Sequence, residues 1–246
     1  SWKSAAVGDD DNVCKPLPSH GELRKVLQQV VTGGGNDGFG FNMWATIVNR
    51  DGVVCAVAFS GAQRGDQWPG SRVISAQKAN TANAFSLPGF ALSTANLFSA
   101  VQAGNSLFGL QHSNPVDPRI AYGGNPARYG QPNDPLTGKK IGGVNVFGGG
   151  LALYNDSGKL VGAIGTSGDT ACTDHIIAWK MRHAFNLDAV PAGPAGAGFD
   201  NIIHDVAQDP ATGHTTSAKG FGHPACSATA TTIANQLPVT HPVGAK

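Results

Sequence analysis

The chain has 246 residues, enough for one large domain or two small ones, and its 41% apolar residues can supply a core. Lysine plus arginine (17) nearly cancels aspartate plus glutamate (16), so no long-range field draws in nucleic acid or an anionic membrane. No apolar run approaches the ~20 residues of a membrane span, and with Glu22 the single glutamate, carboxylate chemistry falls to aspartate.

Residues 1–18 are polar and proline-bearing and read as an N-terminal arm; Asp9, Asp10 and Asp11 lack the ligand spacing of a calcium loop and read as a solvated charge run. Ser19 caps a helix over 20–32, with Leu23, Val26, Leu27 and Val30 as its apolar stripe and three glycines as its stop. Residues 43–48 and 53–59 flank Asn49-Arg50-Asp51-Gly52 and predict a β-hairpin. Helical periodicity follows over 73–85 and 91–101, broken at Leu87-Pro88-Gly89, and Lys78 falls on the mostly apolar face of the first run, either snorkelling or pairing with a ligand.

From 104 to 147 the composition shifts to Gly, Pro and Asn, with His112, Arg119, Tyr122, Arg128 and Tyr129 scattered through it. So long an insert without elements of its own points to a wall or lid. It ends at Gly148-Gly149-Gly150, which opens a second hairpin, 151–154 against 160–166. Hairpin geometry sets the 148–150 loop beside the 166–168 loop, and a helix capped by Thr170 or Asp169 begins at the same spot. Two glycine loops and a helix N-terminus make a niche for a carboxylate or other anion.

A Pro/Gly linker at 191–198 leads into a polar C-terminal extension, 187–246, expected to pack on the domain. His204, His214, His223 and His241 show no zinc spacing and read as independent surface histidines. Cys14, Cys55, Cys172 and Cys226 form no C-x-x-C motif and read as two disulfides of an oxidising compartment, hence a periplasmic or secreted chain. The start at Ser1 suits a processed chain. Of three pairings, Cys172–Cys226 with Cys14–Cys55 ties each loose terminal segment to a core element.

Together these pieces resemble the GlcG/HbpS family, which also appears as the C-terminal domain of PduO-type proteins. The strings that carry the resemblance are Ile47-Val-Asn-Arg-Asp-Gly-Val53, Ala76-Gln-Lys-Ala-Asn-Thr-Ala82, the three glycines at 148–150, and Gly162-Ala-Ile-Gly-Thr-Ser-Gly168 followed by Asp174. The resemblance covers the 19–186 domain. It implies an α+β, profilin-like fold, an antiparallel sheet of about five strands flanked by helices, assembled into homo-oligomers. It also implies non-covalent haem or related tetrapyrrole binding, for sequestration, sensing or delivery, with haem-dependent redox or degrading activity in some members. Lys78, Gly148, Gly149, Gly150, Ser167, Gly168 and Asp174 map onto its motif positions.

A b-type haem needs an apolar slot, an axial donor and partners for two propionates. His175, in the first turn of the helix at the niche, is the first candidate for iron, and Trp179 one turn on could stack on the porphyrin. His112 is the second candidate for iron, and Tyr122 joins it for the opposite face, while Lys78, Arg119 and Arg128 could take propionates. The alternative reading is an enzyme or accessory protein acting on a small carboxylic acid held by the glycine loops, with Asp174 or His175 as acid or base.

Overall fold

A computed structural model describes residues 13–244; the aspartate run at 9–11 lies outside them. Helix α1 (His20–Gly33) is followed by strands β1 (Trp44–Asn49) and β2 (Val54–Phe59) and helix α2 (Ser71–Ala84). After one-turn helices α3 (Leu110–Ser113) and α4 (Pro118–Ala121) come β3 (Gly150–Tyr154), β4 (Leu160–Ser167) and α5 (Ala171–Ala184). The extension adds a two-stranded ribbon, β5 (Val206–Gln208) with β6 (Thr215–Ser217), and helix α6 (Ala228–Thr240). The main sheet is antiparallel in the order β2-β1-β4-β3, four strands where about five were expected.

The sheet is covered on both faces, which is why its strands read as continuous apolar runs rather than alternating ones. Ala45, Ile47, Leu151, Leu153 and Ile164 pack against Leu23 and Leu27 of α1 and Ile176, Ile177 and Met181 of α5. On the other face Trp44, Val48, Val57 and Ala163 pack against Val73, Ala76, Ala79 and Ala82 of α2. Small residues let α2 lie close: a Cβ on Gly165 of β4 would stand 2.0 Å from the Ser75 carbonyl and 2.5 Å from the Ala79 amide. Ser19 caps α1 with a full capping box closed by Glu22, and Thr170 caps α5 by accepting from the Thr173 amide.

Three local readings are corrected. Residues 91–101 form two short 3₁₀ turns, Thr94–Leu97 and Ser99–Val101, instead of a helix. There the Ser93 amide and hydroxyl both donate to Asn96 Oδ1, and Asn96 Nδ2 reaches the Asn201 carbonyl, so side chains capture the groups a helix would use. The tail contains α6, capped by Ser227; its buried residues Ala230, Ala234 and Leu237 are too small and too flanked by threonine to stand out as a stripe. The 104–147 insert is also ordered around one carboxylate. Asp134 accepts from the Gly130 and Leu136 amides and from the Arg72 guanidinium, and Arg72 stacks on Tyr129 at 3.6 Å.

Both disulfides form, Cys14–Cys55 and Cys172–Cys226. The extension meets the core through the latter, through a buried bidentate Arg182–Asp200 pair, and through Trp179 Nε1, which donates to the His241 carbonyl. Helix α5 is therefore buried nearly all round, and its hydrophobic stripe is blurred by Asp174, His175 and Arg182.

Candidate functional site

The two glycine loops do converge. The Thr166 amide donates to the Gly149 carbonyl at 2.8 Å, and Gly150 stands opposite Gly165 across the hairpin. Lys78, reaching up from α2, places Nζ 2.7 Å from Asp174 Oδ2 and 3.0 Å from the Thr166 carbonyl, over the Phe147 ring. Burial pulls both members of the pair toward their neutral forms: it lowers Lys78 and pushes Asp174 up to about 6, each offset in part by the partner's charge.

This niche is filled by the chain itself. Asp174 Oδ1 accepts from the Asp169 amide, and the Asp169 carboxylate accepts from the amides of Phe39, Phe41 and Thr170. The Gly148 amide goes to His223 Nε2 and the Gly150 amide to Thr94 Oγ1. The Gly148, Gly150, Thr166, Asp169 and Thr170 amides, among the donors foreseen for a small carboxylate, are thus spent on internal acceptors. The glycines are required by close approach: a Cβ on Gly148 would lie 2.2 Å from the Ala171 carbonyl, and Gly149, at φ 127°, would drive one to 2.4 Å from the Thr166 carbonyl. Ser167 and Gly168 end β4 against Trp44 and the 42–43 backbone.

His175 and Trp179 are fully buried beneath the extension. His175 Nε2 lies 2.9 Å from Asn201 Oδ1 and 3.2 Å from the Ile202 amide, Nδ1 has no hydrogen-bond partner among the described residues, and burial lowers the imidazole to about 3. The Trp179 ring packs 6.0 Å from His175 and carries the Arg182 guanidinium on its face. The arrangement leaves no slot for a macrocycle at this helix. His112 and Arg128 are exposed in the insert, and Arg119 pairs with its neighbour Asp117; none of them is brought to the niche. Of the insert, its last residues reach Lys78, through Phe147.

Tyr122 instead stands 67% exposed at a different cavity. Trp44, Pro69, Val73, Tyr122, Pro126 and Tyr129 wall a largely apolar pocket of about 430 Å³, with Arg64 and Arg72 beside them. Its volume is in the range of small-molecule sites. Arg72 is committed to Asp134 and the Ala121 carbonyl, and the Tyr129 hydroxyl donates to the carbonyls of Tyr122 and Gly123. Arg64, in an exposed loop, enters none of the ion pairs among the described residues. Sequence reasoning missed this pocket because its walls come from β1, the start of α2 and the insert. A second cluster it missed joins His204 and His223 to Cys172, and the one local signal was the spacing His223-Pro-Ala-Cys226.

Among solved structures the chain is similar to the Klebsiella pneumoniae protein ORFY, at 22% identity and TM-score 0.45, covering 68% of this chain and 90% of that one. It is also similar to PduOC in a haem complex, at 25% identity and TM-score 0.48 over 70% of this chain and 96% of that one. A double mutant of Streptomyces reticuli HbpS gives 15% identity and TM-score 0.39 over 74% and 98%. No curated protein matches the chain. The family model described as haem degrading protein HbpS-like matches residues 22–182, more than half of the length, from the first turn of α1 to the last turn of α5: the chain belongs to the HbpS-like family.

Proposed function

We propose that the protein binds haem or a related tetrapyrrole non-covalently, as b-type haem is bound, and serves its sequestration, sensing or delivery. The observation that carries the reading is the HbpS-like match across the whole sheet and its helices. Haem suits the Trp44 pocket better than the glycine niche. The pocket offers aromatic and proline walls for a flat apolar ring, the Arg64 cation for a propionate, and the Tyr122 phenol as an oxygen donor of the kind that ligates haem iron. His175, sealed by Asn201 and Ile202, offers iron no approach. Two disulfides support a periplasmic or secreted setting. Homo-oligomerisation belongs to the same reading, with exposed Phe39, Phe41 and Trp68 as an aromatic cluster on the surface.

Titration of the purified protein with hemin, followed in the Soret region, tests the proposal. Saturable binding with a shifted Soret band is expected. Tyr122→Phe should alter the spectrum, Arg64→Ala should weaken binding, and His175→Ala should leave the spectrum as it is. Absence of a Soret shift and of saturation would overturn haem binding; loss of the spectrum in His175→Ala alone would move the ligand back to α5.

A further inference from the structure

Cys172, His204 and His223 each offer one donor atom to a common point, all within 4.8 Å of one another. They come from three separate segments: the first turn of α5, the stretch before β5, and the loop before α6. Cys226 is bonded to Cys172 at 2.07 Å, so a second sulfur lies one bond length from the three-donor group, just outside it. Neither ring nitrogen of His204 makes a hydrogen bond of ordinary geometry among the described residues, although both are shielded from solvent and backbone groups of His223 and Pro224 stand beside the ring. His223 is 3% exposed, and burial favours its neutral imidazole, the form that binds metals. Two sulfurs and two neutral imidazoles are the donor set of a tetrahedral zinc centre. Around such an ion, with Zn–S ~2.3 Å and Zn–N ~2.0 Å, donors sit about 3.3–3.8 Å apart; Cys172, His204 and His223, within 4.8 Å of one another, draw in by about an ångström, and the Cys226 sulfur moves out of bonding distance of Cys172 to take the fourth corner.

We propose that reduction of the Cys172–Cys226 disulfide creates a Cys₂His₂ site for zinc or a similar late divalent metal, formed by Cys172, Cys226, His204 and His223. While the sulfurs are bonded to each other neither is a thiolate, and the oxidised protein lacks half of the donor set. Cys172 is buried but Cys226 is exposed, so a protein dithiol attacks the Cys226 sulfur. The S–S bond breaks and Cys172 leaves as a thiolate. It leaves at the N-terminal turn of α5, where the helix dipole favours negative charge; the Cys172 amide, which points at the Cys226 sulfur 3.3 Å away, offers that sulfur a donor once it too is released as a thiolate. The second thiol of the reductant resolves the mixed disulfide and departs in an oxidised disulfide, having supplied two electrons. The two protons of the dithiol pass to the cysteine sulfurs or to water, and metal binding displaces those that the cysteines hold. His223 Nε2 accepts from the Gly148 amide and Nδ1 lies 2.8 Å from the Pro224 carbonyl, so a metal captures the ring by displacing one of these, and capture through Nε2 frees the Gly148 amide of the glycine loop.

The test is an anaerobic Co²⁺ titration of the full protein before and after reduction by a phosphine, with thiols counted and far-UV circular dichroism recorded. Expected are one Co²⁺ per reduced chain with intense visible bands of tetrahedral cobalt and sulfur-to-cobalt charge transfer, and none of these in the oxidised protein. His204→Ala and His223→Ala should each weaken binding by more than the roughly 10–100-fold that loss of a supporting partner costs. Cys14→Ser with Cys55→Ser should keep the site. If reduction unfolds the chain, refolding on addition of Zn²⁺ supports the proposal and failure to refold overturns it. A folded, reduced protein without charge transfer, or bands undiminished in both histidine variants, overturns it as well.

Discussion

Replacing Asp174 by Asn tests the account of the glycine niche most sharply. The substitution keeps the shape and an acceptor for the Asp169 amide but removes the charge facing Lys78, whose side chain is fully buried and whose other partners are one carbonyl and the Phe147 ring. Breaking a buried pair from one side costs about 3–5 kcal/mol, because the remaining charge is left without compensation. For a chain of this size that is a fall in melting temperature of about 6–20 °C. Lys78 has one escape, loss of its proton, and burial already lowers it. Between its folded and unfolded pKa the unfolded chain binds more protons, so the stability of the variant rises with pH, and the deficit against the parent should shrink from pH 7 to pH 9. Adding Lys78→Met should restore most of the loss, since a neutral pair of similar volume is tolerated where half an ion pair is not. Urea denaturation of the four proteins of this cycle gives the coupling directly. Asp174→Asn within about 1 kcal/mol of the parent at pH 7, or additive effects in the double variant, would refute the reasoning.

Acid should destabilise the protein well before its carboxylates protonate in bulk. His175 and His223 are held by burial at about 3 and about 4, so below pH 6.5 the unfolded chain takes up protons that the folded one refuses. Asp174, raised to about 6, works in the opposite sense, and the net loss between pH 6.5 and 3 is about 5 kcal/mol; a urea midpoint that stays constant across that range would contradict it. Gly165→Ala should cost about 3 kcal/mol or more, because its Cβ meets the α2 backbone rather than a movable side chain; a melting temperature within 2–3 °C of the parent would show that α2 sits further off. Removing the Cys14–Cys55 bridge opens a loop of 41 residues and should cost at most about 4 kcal/mol on the chain-entropy account, measured on the double serine variant; no loss would mean that the arm is held by other contacts.

Much of the frame was legible because it is written in local chemistry. Ser19 with Glu22, Thr170 before α5, and the turns at 49–52 and 155–158 are signals confined to a few neighbouring residues, and each sits where the elements begin or end. The contact between the two glycine loops followed from hairpin geometry alone. The occupant of the niche was not legible. From the sequence, clustered amides next to a helix N-terminus ask for an anion, and only the packed chain reveals that Asp169 and Asp174 are that anion. His175 looked available for the same reason: its position on α5 is local, but the cover formed by Asn201, Ile202 and α6 comes from an extension with almost no periodicity.

The sequence by itself determined α1, the two hairpins, α2 and α5 in their order, the pairing of neighbouring strands, the family and the reading of four cysteines as two bridges, because each depends on spacing, composition or a motif along the chain. Only the tertiary structure decided what is open and what is shut. Burial is a property of everything that packs on a residue from elsewhere, and here segments far apart in sequence closed the glycine niche, opened the Trp44 pocket beside the insert, and brought two tail histidines to the disulfide at the head of α5.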